Sequence, residues 1–293
     1  MTEIVRLGVE SWDWSCSAQD QQTAVEALES GQVLLLPRLS FPMRDNEREF
    51  YFLSTGVEVK GKNISLNLAD DSVRGSSADV AELGVLRDMM KRFAGVSRSL
   101  VERLMPGYAA SLEVGRTSFR PVEIAGRPSS WRKDDSRLHV DSFPSTPTQG
   151  KRILRLFSNV NPEGQGRTWR LGEPFEQVAS RFLPTVQDPP WGSSQILETL
   201  GITKGLRSPY DHYMLQLHDR MKADIAYQSS AEQRTCVFAS GSTWLVFSDQ
   251  VSHAAMSGQY AFEQTFYLPV TAMRDASRSP LRVLERLLDR TLV

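Results

Sequence analysis

The stretch 136-SRLHVDSFPSTPTQGKRILRLFSNV-160 decides how this chain is read. His139 and Asp141 flank a single residue in a protein with only four histidines. Chance alone places a His-x-Asp in roughly one such chain in five, so the tripeptide needs a partner from elsewhere. The other histidines are His212, His218 and His253. His212 and His218 are six residues apart in a helical stretch and share no face, which suits structural or solvent-exposed roles. His253 follows the apolar strand "STWLVFSD" and a short loop, and opens the next strand, "AMSGQYAFEQTFYLP". That position puts an imidazole at the mouth of a barrel, opposite His139 and Asp141.

Two histidines and one carboxylate occupy one face of an octahedral ion. Three positions stay open, enough on Fe(II) for a bidentate 2-oxoacid and then O2. A 2-oxoacid also needs a cation for its far carboxylate. The position eleven residues beyond His253, where this class often carries arginine, is Gln264. The strand after His-x-Asp offers Arg152 and Arg155 instead, three apart and so on opposite faces. Arg155 shares its face with Ile153, Phe157 and Asn159 and is the preferred anchor, with Arg152 second.

Working outward, the first 107 residues read as mainly helical with one strand. Ser17 caps a helix closed by Gly31, "QVLLLPRL" is a buried strand, and a near-helical period runs from Asp79 to Leu104 before Pro106 stops it. From residue 108 to 273 short alternating segments separated by Gly and Pro predict a jelly roll, broken by a helical insert over about 175–225. A last helix falls within 274–293. The expected fold is α+β, a double-stranded β-helix with N-terminal helices and a helical insert, in one domain spanning 1–293.

Composition narrows the function. The net charge of −1 argues against a nucleic-acid binder. Residues 116–170 nevertheless carry eleven Lys/Arg against five Asp/Glu, a local surplus of six. That surplus surrounds His139 and Asp141 and suits an anionic substrate. Arg120, Arg127, Arg132, Lys133 and Arg137 cluster just before His139, placed to meet such anions as candidate substrate contacts, while a salt bridge to Asp134 or Asp135 is the alternative for any one of them. Trp131 and Trp169 have the shape to stack on a sugar, although core packing is the more ordinary role. Two distant cysteines, Cys16 and Cys236, give no disulfide framework. No signal peptide and no membrane span is legible, so a cytoplasmic protein is expected.

The segments "TSFRPVEIAGR", "WRKDDSRLHVDSFPSTPTQGKRILRLFSNVNPEGQGRTWRLGEPFE", "GSTWLVFSDQVSHAAMSGQYAFEQTFYLP" and "ALESGQVLLLPRLSF" together resemble the Kdo (3-deoxy-D-manno-oct-2-ulosonic acid) hydroxylase family. The resemblance covers most of the chain and thins between Leu183 and Arg234. It implies His139, Asp141 and His253 as iron ligands, with Fe(II)- and 2-oxoglutarate-dependent hydroxylation at C3 of Kdo. It also implies a Kdo-containing lipid A or lipopolysaccharide precursor as partner, met at the cytoplasmic face of the inner membrane through peripheral contact. The same residue pattern would serve a 2-oxoglutarate oxygenase with another substrate, or a cupin-like metal-dependent sugar-binding or isomerising protein.

Overall fold

The computed structural model describes every residue except 53–62, Pro128 and Trp191. The chain opens with β1 (Ile4–Arg6), α1 (Ala18–Glu29) and β2 (Val33–Leu36). Ser17 and Asp20 form a reciprocal capping box that fixes the start of α1. β3 (Ile64–Asn67) and β4 (Ser72–Arg74) follow, then α2 (Val80–Leu104), capped in the same way by Asp79 and Glu82. The first third thus holds four strands among the described residues, not the single one expected. β1, β3 and β4 have three or four residues each. Period-two alternation has no room to show at that length, and each exists because its backbone pairs with a neighbour.

The core begins with β5 (Glu113–Arg120), β6 (Arg152–Asn159) and β7 (Arg167–Leu171). A helical insert of α3 (Phe175–Phe182), α4 (Ser193–Thr199), α5 (Pro209–Ala223) and α6 (Ile225–Ser230) interrupts it. β8 (Arg234–Phe238), β9 (Thr243–Phe247), β10 (His253–Ser257) and β11 (Ala261–Leu268) complete it, and α7 (Pro280–Leu288) ends the fold. The larger sheet runs β1-β2-β9-β6-β11-β5-β3-β4 and the smaller β10-β7-β8. The pairings are antiparallel apart from β1 with β2. These facing sheets, with helices at the N-terminus and in the insert, are the jelly-roll class read from the sequence.

Strand alternation divides the apolar residues between two cores. Leu154, Leu156, Phe262 and Phe266 turn outward under α1 and α2, where Phe93 stacks on Phe262 at 4.7 Å. Phe157, Trp169, Phe238 and Trp244 turn inward between the sheets. Phe238 and Trp244 are parallel at 4.1 Å and Trp169 meets Phe157 edge-on at 5.1 Å. Rings in these geometries leave little freedom to slide, so the inner core is a rigid base for whatever lies above it.

One polar clamp is built into the outer face. Arg152 is 0% exposed. Its Nε donates to Asp249 at 2.7 Å, its Nη2 donates to Gln250 at 2.6 Å, and its guanidinium lies 3.9 Å from the Phe247 ring centre. Asp249 and Gln250 form the turn from β9 to β10, so the clamp fixes the approach to His253. Removing one partner of such a pair strands the other charge in the core. Asp249→Ala is therefore expected to cost about 3–5 kcal/mol in urea-unfolding stability, whereas replacing Arg152 and Asp249 together by Met and Leu recovers part of that loss.

Candidate metal centre

His139 and His253 face each other across a two-residue antiparallel bridge. The His139 amide donates to the His253 carbonyl at 3.0 Å, and the His253 amide returns the bond at 2.9 Å. Asp141, two residues on, is tied by its own amide to the Ser248 carbonyl at 2.8 Å. Leu138 and Val140 are buried in the apolar core, and the alternation turns His139 and Asp141 to the other side. Ligand atoms of His139, Asp141 and His253 all lie within 4.8 Å of one another.

The ring tautomers are set by the backbone. His139 Nδ1 meets the Arg137 carbonyl at 2.7 Å and His253 Nδ1 meets the Val251 carbonyl at 2.8 Å. A carbonyl only accepts, so each Nδ1 carries the hydrogen and each Nε2 keeps a lone pair for a ligand. Trp169 stacks on the His253 ring at 5.1 Å and fixes its plane. Two neutral imidazoles and one carboxylate fit a divalent metal with open coordination positions.

The triad opens on a cavity of about 580 Å³. Arg155, Arg120, Arg132 and Lys133 all line it. Arg155 is already engaged there: its Nε lies 3.1 Å from Asp141 and its Nη1 3.3 Å from Glu263. Glu263 also pairs with Arg120. The result is an alternating chain of charge, Asp141–Arg155–Glu263–Arg120.

Other expected contacts lie outside the cavity. Arg152 is consumed by the clamp on the opposite face of β6. Asn159 spends its amide on the Gln165 and Phe238 carbonyls, at 3.0 and 3.1 Å, and so shapes a turn. Gln264 sits on the outward face of β11, accepting from Thr117 at 2.6 Å and donating to the Thr265 carbonyl at 2.8 Å. Arg127 is directed at Asp135, 3.3 Å away.

Three lining residues escaped the sequence reading. Arg167 is 1% exposed, and among the described residues its guanidinium makes one hydrogen bond, Nη1 to the Gly258 carbonyl at 3.1 Å. Burial, and then the charge of Arg120, push its guanidinium down to about 9. The available signal was "RTWRL", whose inward positions are Arg167, Trp169 and Leu171: an arginine on the core face of a strand. His218 and Lys222 reach the cavity from α5, one helical turn apart. His218 is not solvent-directed: its ring meets His139 edge-on at 5.3 Å, and its Nδ1 lies 3.0 Å from Asp219. His212 turns away to the Gln187 carbonyl. Trp169 serves both as core and as cavity wall.

Electrostatics keep the triad in its metal-ready state. Burial lowers His139 to about 3 and also lowers His253. Burial pushes the Asp141 carboxyl up, but Arg155 and then His139 outweigh it and hold the group well below its usual range. In the window between about 3 and the ordinary histidine value near 6.5, the unfolded chain binds protons that the folded chain refuses. Stability of the metal-free protein therefore rises with pH across that window, is complete above it, and is lost as pH falls through it. His139→Asn is expected to remove up to about 1.4 kcal/mol per pH unit of that slope, measured by urea unfolding at pH 4, 5, 6 and 7.

Comparison with known proteins identifies the family of the chain as a whole. A family model described as 3-deoxy-D-manno-oct-2-ulosonic acid (Kdo) hydroxylase matches residues 11–291. A crystal structure of KdoO, a non-heme Fe(II) α-ketoglutarate-dependent dioxygenase, with α-ketoglutarate and Fe(III) is 46% identical with a TM-score of 0.95, covering 100% of this chain and 98% of that one. The KdoO complex with cobalt(II) is also 46% identical, at a TM-score of 0.94 and coverages of 99% and 97%. No curated protein matches at the sequence level. With the match running nearly end to end, the chain belongs to the Kdo hydroxylase family.

Proposed function

We propose that this chain is an Fe(II)- and 2-oxoglutarate-dependent dioxygenase that hydroxylates Kdo at C3, acting as one catalytic unit over its whole length. The observation that carries the reading is the His139–Asp141–His253 triad, with both Nδ1 atoms donating to backbone carbonyls and the carboxylate kept ionised. Those three residues would hold the iron, which together with 2-oxoglutarate and O2 supplies the oxidising power for an unactivated C–H bond. The protein's own part is placement.

Arg167 is the residue best suited to the far carboxylate of 2-oxoglutarate. It is a buried cation with a backbone carbonyl as its hydrogen-bond partner, and an arriving carboxylate would meet that unmet demand. Arg155 lines the same cavity, shared with Asp141 and Glu263. Phe157, Trp169 and Ala255 give the cavity an apolar wall that keeps water from the reacting carbon. Lys222 donates to the Arg132 carbonyl at 3.0 Å and so ties the insert to the cavity mouth. Arg132 and Lys133 at that mouth suit the acid sugar.

The physiological partner is a Kdo-bearing lipid A or lipopolysaccharide precursor, reached at the cytoplasmic face of the inner membrane. Ile196, Leu200, Ile202 and Leu206, in α4 and the loop after it, are 43–67% exposed, and Arg207 follows them directly. Apolar side chains next to a cation suit peripheral contact with an anionic bilayer. No helix among the described residues is long and apolar enough to cross a membrane.

Anaerobic addition of Fe(II) and 2-oxoglutarate is expected to produce a weak visible band near roughly 500–530 nm, the mark of a chelated open-face ferrous site. His253→Ala should abolish it, and oxygen with Kdo–lipid A should yield a product heavier by one oxygen. No band and no mass gain would end the hydroxylase reading. Arg167→Leu should raise the KM for 2-oxoglutarate about 10- to 100-fold, the worth of a charge-assisted hydrogen bond. Leu200→Glu with Ile202→Glu should lower co-sedimentation with anionic vesicles while leaving turnover of detergent-dispersed substrate unchanged.

A further inference from the structure

Past Arg155 the metal cavity continues into a second cleft of about 570 Å³, and Arg120 and Arg155 line both. Its floor is formed by β11, β5, β3 and β4 of the larger sheet. Strand register sets Glu263 against Ser118, Ser118 against Ser65, and Ser65 against Arg74. A polar row therefore crosses β11, β5, β3 and β4, from the rim of the metal cavity to the edge of the sheet. The same row read the other way, from Glu263 to Phe157 to Trp244, is aromatic.

Three cations gather at the outer end. Arg74 comes from β4, Arg116 from β5 and Lys204 from the loop after α4, and together they line a hollow of about 110 Å³ that opens beside the cleft. The one carboxylate in that hollow is Asp70, which accepts from the Ser72 amide at 3.1 Å and the Ser72 hydroxyl at 2.6 Å. Asp70 offsets one of the three charges, chiefly Arg74. Glu263, at the inner end, is committed to Arg120 and Arg155. Among the described residues two positive charges are left facing a polar cleft, brought together from three separate parts of the chain. Packing alone gives no reason for that convergence, because like charges at close range repel.

We propose that the Arg74–Arg116–Lys204 cleft binds a second anionic group of the substrate, a phosphate or carboxylate on the sugars attached to the Kdo being hydroxylated. The glycolipid is then held at two points, with the target sugar at the metal and its charged neighbour at the sheet edge. This rests on the hydroxylase reading above and adds to it a site outside the metal cavity.

The test uses the full-length enzyme and water-soluble, deacylated Kdo-glucosamine-disaccharide glycans, made with and without phosphates and with one or two Kdo residues. Arg74→Gln with Arg116→Gln, and Lys204→Gln separately, alter exposed side chains and should melt with the wild type. Calorimetry should show the double variant binding the bisphosphorylated two-Kdo glycan about tenfold more weakly, the scale of a lost charge-assisted contact. KM for that glycan should rise in parallel, with kcat within about twofold and KM for 2-oxoglutarate unchanged. Removing the group that the cleft binds should cost the wild type the same factor and the double variant nothing more. If that non-additivity follows the phosphates, the anchor reads phosphate; if it follows the second Kdo, it reads a carboxylate. Variants that bind every glycan as the wild type does, or that weaken all glycans equally, overturn the proposal. A wild type that binds the charged glycan through the cleft but never hydroxylates it would instead remove the hydroxylase reading.

Discussion

Two backbone hydrogen bonds, exchanged between His139 and His253, are the constraint on which the site depends. The two histidines belong to different parts of the chain, 114 positions apart in sequence. Neither side chain could place the other. The reciprocal amide–carbonyl pair sets the two Cα atoms at a fixed separation before any metal is considered. The Nδ1 bonds to Arg137 and Val251 then set the rotation of each ring. The geometry of the proposed metal site is thus written in main-chain hydrogen bonds, which side-chain substitutions around it leave largely intact. The clamp of Arg152 on Asp249 and Gln250 serves the same end from behind, holding the turn through which β10 is entered.

The charges of the cavity form a sequence, not a collection. Asp141, Arg155, Glu263 and Arg120 alternate in sign, so each is neighboured by its opposite. Burial alone would push Asp141 and Glu263 toward their protonated forms; Arg155 prevents it at Asp141, and Arg120 with Arg155 prevents it at Glu263. Arg167 stands apart from this chain because its hydrogen-bond partner is a carbonyl. That difference separates Arg155, which is held between Asp141 and Glu263, from Arg167, the proposed contact for 2-oxoglutarate.

Much of this was legible from residues alone, for identifiable reasons. The His-x-Asp and the strand-opening His253 are local features, and period-two strands of five to eight residues announce themselves. What escaped depended on pairing across distance. β1, β3 and β4 are too short to show a period and owe their form to neighbours. Arg152, Asn159 and Gln264 had the right chemistry in the right neighbourhood. Which face of a strand looks inward, and which amide a turn consumes, is settled by the opposite sheet. Arg167 was readable in principle, since "RTWRL" alternates with arginine on the same side as Trp169. The contribution of α5 was not: a histidine and a lysine at helical spacing say nothing of where the helix docks.

Those same short strands have a consequence for life in a crowded cell. An eight-stranded sheet must end somewhere, and each end exposes unpaired amides and carbonyls that invite a strand from another molecule. Here the two ends are β1 and β4, three residues apiece. Stubs of that length offer too few backbone groups to template a growing ladder. The elements least visible in the sequence are therefore the ones that blunt the sheet against aggregation.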